Sequence, residues 1–177
     1  MQDDIFEVTV PDSELEAPAF EPMPAGAYVT TLQPGASLAS NQTGWKGIRL
    51  PFSGFRSTNG KGEFTRSLRA QFTYEHATSP RAVEIGRQGI VGAAAAVGLT
   101  EPSQTADGKA GQRLTAKSYE ELVEQFNAMA GTEVEVYIVA KARMRNGQAV
   151  QRNDGTGVVM DNEIRNVRAV SAPKEAA

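Results

Sequence analysis

The 177-residue sequence has no cysteine and a single histidine, His76. The first absence excludes disulfides and thiolate metal sites, and the second a multi-histidine zinc site. A Ser-His-Asp triad would have to use His76, and nothing around it has the form of a nucleophile elbow. No apolar run approaches the roughly 20 residues that span a bilayer. The run AAAAV at 93–97 is short and internal. The first 25 residues contain no lysine or arginine, the opposite of the basic start of a secretory signal. A cytoplasmic chain with no membrane contact is the expectation, and the sequon Asn41-Gln42-Thr43 then carries no weight. Nucleophile–base pairs, carboxylate metal clusters and a Walker A sequence are all missing, so neither enzymatic activity nor a cofactor is expected.

What is there is ordinary in bulk and uneven in distribution. Hydrophobic residues make up 40% and charged residues 22%, a soluble globular composition of single-domain length, able to bury a core unaided. The net charge of −3 hides two regions. Residues 1–25 hold seven acids, which leaves 14 acids against all 18 bases in 26–177, a net of +4. Basic residues concentrate in 44–75 and 141–168, six in each. An acidic arm joined to a basic body points to a polyanionic partner, and equally fits a solvated surface with a polar tail. Four prolines in 11–25 give an extended arm over 1–25, which Phe6, Phe20 and Met23 can pin to the body or to a partner. Residues 171–177 read as a frayed end, and 101–117 as a long flexible loop without hydrophobic period.

Between these lie strands at 26–32, 45–55 and 64–75, helices at 80–97 and 119–130, and strands at 133–145, 148–152 and 158–170. Ser79-Pro80 opens the first helix, and Ser118-Tyr119-Glu120-Glu121 is a capping box for the second. Gly86, Gly89 and Gly92 recur every three residues inside the first helix. Their cost in helix propensity predicts a flat ridge lying close on the sheet. Asn146-Gly147 is a hairpin turn. His76 reads as a surface or capping residue at the end of the third strand. The fold class is therefore mainly β with a helical insertion (α+β). The expected form is an OB-like antiparallel five-stranded barrel over 26–170, with one or two helices between strands three and four. A β-sandwich with one covering helix is the alternative.

Strands two, three and four each pair an apolar face with a basic, partly aromatic one. Ile48, Leu50 and Phe52 alternate inward, which puts Trp45 and Arg49 outward, with Phe55 on their side by parity. Arg69 and Gln71 share the outward face of the third strand; Tyr137, Lys141, Arg143 and Arg145 share that of the fourth. Single-strand binders combine cations for phosphates with aromatic platforms for bases. This predicts phosphate contacts from Lys46, Arg49, Arg69, Lys141, Arg143 and Arg145, stacking on Trp45 and Tyr137, and a mobile finger carrying Lys61. Trp45, between small polar residues, reads as exposed as readily as part-buried.

Five stretches carry a resemblance: FEPMPAGAYVTTL at 20–32, GWKGIRLPFSGF at 44–55, AAAAVGL at 93–99, FNAMAGTEVEVYIVAKAR at 126–143 and NEIRNVRAV at 162–170. In this order they resemble a family of small bacteriophage replication and recombination proteins, the domain of unknown function numbered 669, which is similar to OB-fold single-stranded DNA-binding proteins. The chain departs from that pattern in the insertion at 101–117 and in carrying its acids at the N-terminus rather than in a C-terminal tail. The resemblance implies sequence-tolerant single-stranded DNA binding in the host cytoplasm. It also implies phage or host replication and recombination proteins, or further copies of the chain, as partners. A structural virion protein that assembles through its N-terminal arm is the rival expectation.

Overall fold

Alternating apolar residues put Tyr28 and Leu32 of one strand, and Ile48, Leu50 and Phe52 of another, on a single buried face. In the computed structural model, which describes residues 21–171, that face lines the core of an antiparallel sheet. The elements are β1 (Gly26–Leu32), β2 (Ser37–Ser40), β3 (Lys46–Ser57), β4 (Glu63–Glu75), α1 (Pro80–Ala96), β5 (Thr100–Gln104), β6 (Ala110–Leu114), α2 (Tyr119–Ala128), β7 (Glu133–Ala142), β8 (Met144–Arg145), β9 (Gln148–Ala149) and β10 (Met160–Arg168). The six-stranded sheet runs β10-β7-β1-β3. The long β3 pairs with β1 and β2 along one edge and with β4 along the other.

The end strands β4 and β10 approach each other without pairing, so the sheet is not closed into the expected five-stranded barrel. Helix α1 lies against both of them and covers the seam with side chains instead of ladder hydrogen bonds. The glycine ridge makes this possible. A Cβ on Gly86 would stand 1.7 Å from the Thr73 carbonyl oxygen of β4, and one on Gly89 would stand 2.3 Å from the Phe72 ring. The close-packing expectation for these glycines is met. At the seam Asn162 of β10 exchanges two hydrogen bonds with the backbone of Met23, at 2.8 and 2.9 Å, and Met23 is fully buried. Met23 thus pins its segment to the body. Residues 1–20, with Phe6 and Phe20, and residues 172–177 lie outside the described residues.

Both helix starts follow from local chemistry. The Ser79 hydroxyl accepts from the Ala82 N–H, with Pro80 in the first turn. His76 Nδ1 accepts from the N–H groups of Thr78 and Ser79, so the histidine caps this turn. At α2 the Ser118 hydroxyl accepts from Glu121 N–H, while the Glu121 carboxylate reaches back to Lys117 N–H.

Three further expectations are corrected. Residues 101–117 are not a loop: β5 and β6 form a hairpin with Thr100 opposite Leu114 and Gln104 opposite Ala110. Its side chains are exposed or half-buried throughout, so they leave no apolar period to read. The fourth long strand stops at Ala142, where Arg143 N–H bonds to the Val159 carbonyl and the chain enters the β8–β9 hairpin. Phe55 is not on the face of Trp45. A bulge between Ser53 and Phe55, with Gly54 at φ +70°, switches the alternation and sends Phe55 into the core against Tyr28. Among the described residues no helix is long and apolar enough to cross a membrane.

Candidate nucleic-acid interface

The outer face of β3 and β4 is organised around Trp45. The Asn41 side chain accepts from the N–H groups of Thr43 and Trp45, and Asn41 N–H donates to the Trp45 carbonyl. This fixes the turn that delivers the indole onto the sheet. The ring lies over Gly47, where a Cβ would meet it at 2.5 Å, and its Nε1–H donates to the Thr73 hydroxyl at 2.8 Å. Trp45 is therefore half-buried, outside the core and held at its polar edge. The Arg49 guanidinium stands 5.9 Å from the ring centroid, and its Nε donates to Gln71 on the neighbouring strand at 3.0 Å. Arg69, opposite Pro51 on the same face, makes no side-chain ion pair or hydrogen bond among the described residues. Two guanidinium groups without carboxylate partners thus share this face: Arg49 beside the ring, and Arg69 one pair further along the sheet, opposite Pro51.

The other expected cations are placed differently. Lys46 pairs with Glu75 at 3.0 Å, and that hydrogen bond, then the carboxylate charge, raises the ammonium's pKa. Lys141 pairs with Glu163 at 3.4 Å. Arg143 makes a two-pronged pair with Asp161, at 2.6 and 2.9 Å. Its hydrogen bonds hold the Asp161 carboxyl below the usual range and raise the Arg143 pKa. Lys61 donates to the Ala25 carbonyl at 2.8 Å. Arg145, exposed in β8, makes no side-chain ion pair or hydrogen bond among the described residues.

The nine expected residues therefore do not form one groove. Trp45, Lys46, Arg49 and Arg69 gather where β3 begins. Lys61, Lys141, Arg143 and Arg145 lie at the opposite end of the sheet, by the β3–β4 turn and the β8–β9 hairpin. Tyr137 sits between Ala27 of β1 and Asn166 of β10, about half exposed. Ala27 is one register step from the Tyr28–Ser57 pair, and Ser57 is ten residues beyond Gly47. That separation is about 33 Å of strand, so the two expected stacking rings belong to different patches.

Beside Tyr137 is a cavity of about 180 Å³ lined by Ala27, Glu135, Tyr137, Asn166 and Arg168. Glu135 is buried, 5% exposed, although it points away from the core, and Arg168 binds it. The sequence reading missed Glu135, Asn166 and Arg168, and it missed the carboxylates that neutralise β7. A signal for the latter existed: Asp161 and Glu163 repeat the i, i+2 spacing of Lys141 and Arg143, the pattern of cross-strand charge pairing. Among the described residues no group of three or more metal-ligating side chains converges. Comparison with protein-family models gives no match, and no curated protein matches the chain.

Proposed function

We propose that this chain is a sequence-tolerant single-stranded DNA-binding protein of the phage type, acting through the outer face of β3 and β4 without enzymatic chemistry. The observation that carries the reading is the Trp45 face: one anchored, half-exposed indole with Arg49 beside it and Arg69 further along the same face, neither matched by a carboxylate among the described residues. Bases stack on such a ring whatever their identity, and the guanidinium groups take phosphates of the same strand along the face. Sheet connectivity agrees. β1 lies between β3 and β7, β4 lies beyond β3, β10 lies beyond β7, and the helices enter between β4 and β7. This is the order of a partly open OB-type barrel with its last seam unpaired, and the strand pair carrying Trp45 is the one such folds use for oligonucleotides. Arg145 lies at the opposite end of the sheet and offers a separate phosphate contact. Lys141 and Arg143 contribute only where phosphate displaces Glu163 and Asp161.

The test is the salt dependence of oligonucleotide binding by mobility shift. Arg49→Ala and Arg69→Ala are each expected to weaken binding and to lower the slope of log affinity against log salt by about 1. Wild-type affinity and slope in both variants would overturn the assignment of this face.

A further inference from the structure

The cavity beside Tyr137 differs in kind from the rest of the outer face. Its volume of about 180 Å³ falls below the roughly 300 Å³ of the smallest drug-sized pockets. It suits one planar heterocycle. Glu135 brings to it a carboxylate only 5% exposed, an unusual residue for a strand face turned away from the core. Arg168 donates to Glu135 Oε1 through both Nε and Nη2. Oε2 accepts nothing from the described residues. No buried side-chain oxygen or nitrogen among them lacks a partner, so Oε2 keeps accessible surface, and Glu135 lines the cavity.

A carboxylate oxygen only accepts, so the missing group is a donor. The charge of Glu135 is already matched by Arg168. A second cation entering here would stand beside that guanidinium without a counter-charge of its own, whereas a neutral donor meets no such repulsion. Tyr137 adds a half-exposed ring for stacking, and Asn166 a side-chain amide. We infer that this cavity is a nucleobase pocket, in which the base stacks on Tyr137 and its exocyclic amino group donates to Glu135 Oε2. The inference rests on the single-strand reading above and adds selectivity to it. Cytosine, adenine and guanine carry the amino group. Thymine offers only an N3–H, and the carbonyls flanking it would face the carboxylate.

The experiment is amide NMR of the full chain titrated with dCMP and, separately, dTMP. The expected result is shifts of the Ala27, Tyr137 and Asn166 amides with dCMP, and affinity about ten-fold above that for dTMP, the worth of one hydrogen bond to a charged group. Tyr137→Ala, at an exposed ring, should abolish the response without disturbing the fold. Glu135→Gln should reverse the preference. Arg168 only donates, so the glutamine oxygen stays on it and the amide NH2 turns to the cavity, where it suits thymine's carbonyls. Equal response to the two nucleotides, or none at these amides, would overturn the inference. So would a stronger response to N-acetylarginine amide, which would assign the cavity to a partner protein's arginine. Oligonucleotide binding without dCMP selectivity refutes the pocket alone. Selective dCMP binding without oligonucleotide binding at β3 and β4 refutes the proposed function alone.

Discussion

Alanine at Gly86 sets helix α1 against strand β4. The new Cβ would lie 1.7 Å from the Thr73 carbonyl oxygen and 2.6 Å from its carbon and nitrogen. Carbon–oxygen contacts settle near 3.3 Å, so α1 has to lift by about 1.5 Å. The obstacle is sheet backbone, which cannot swing aside, and lifting loosens Ile90, Ala93 and Ala94, all buried on the same helix. Overpacking costs about 1–3 kcal/mol, and the loosened contacts add to it, while alanine returns about 1 kcal/mol in helix propensity. A net loss of about 3 kcal/mol follows, a fall of roughly 6–12 °C in Tm for a chain of this size. The neighbouring glycines grade the effect. At Gly89 the obstacle is the Phe72 ring at 2.3 Å, a side chain that can turn, and the expected loss is about 1–2 kcal/mol. At Gly92 the nearest atom is the Val167 carbonyl oxygen at 3.4 Å. There alanine fits with little adjustment and should be neutral or stabilise by up to about 1 kcal/mol. Thermal and urea denaturation of the three variants give the order directly. A Gly86→Ala protein as stable as wild type, or Gly92→Ala as the most damaging, would refute the account of how α1 covers the seam.

Further outcomes follow from single contacts. Phe55→Ala should cost about 3–5 kcal/mol in urea unfolding, as for a core aromatic; a surface-sized loss would contradict the Gly54 bulge. Asn127→Ala removes side-chain bonds to the N–H groups of Gly35 and Ala36 and to the Ala36 carbonyl. It should cost about 1–3 kcal/mol and speed amide exchange at residues 35 and 36. Asp161 has a carboxyl pKa lowered by Arg143. Its pair therefore stabilises the fold above the ordinary carboxylate value of about 3.9 and is lost as pH falls through the lowered one. Asp161→Asn should reduce the acid-side slope of stability, with a small effect because both groups are half exposed. An unchanged slope in urea midpoints from neutral to strongly acidic pH would contradict it.

The long strands and both helices were legible because each buries one face, and burial imposes a period. Ile48, Leu50 and Phe52 alternate in the sequence because the core lies on one side of β3. The β5–β6 hairpin was not legible because it rests on α1 without fully burying any side chain of its own. Phe55 was misplaced because a one-residue bulge reverses parity, and Gly54 alone marked it. The site was harder to read than the fold. Trp45, Arg49 and Arg69 do share a face: alternation within β3 and β4 places the two arginines, and the Asn41 turn lays the indole beside them. Whether Lys141 and Arg143 are free depends on register with β10, a property of two strands some 20 residues apart. The unclosed sheet had a cause of the same kind: the glycine ridge foretold a close helix, but not that the helix would cover the seam between β4 and β10 in place of strand pairing.

The central claim is that a single strand lies on the Trp45 face. Trp45 is the only tryptophan, so its fluorescence reports that face alone. The decisive measurement is a titration of the full chain with a mixed-sequence oligodeoxynucleotide at low and high salt. The account predicts saturable quenching at low salt, reversed by salt and weakened by Arg69→Ala. Unchanged Trp45 emission throughout, with no mobility shift in the same samples, would contradict it.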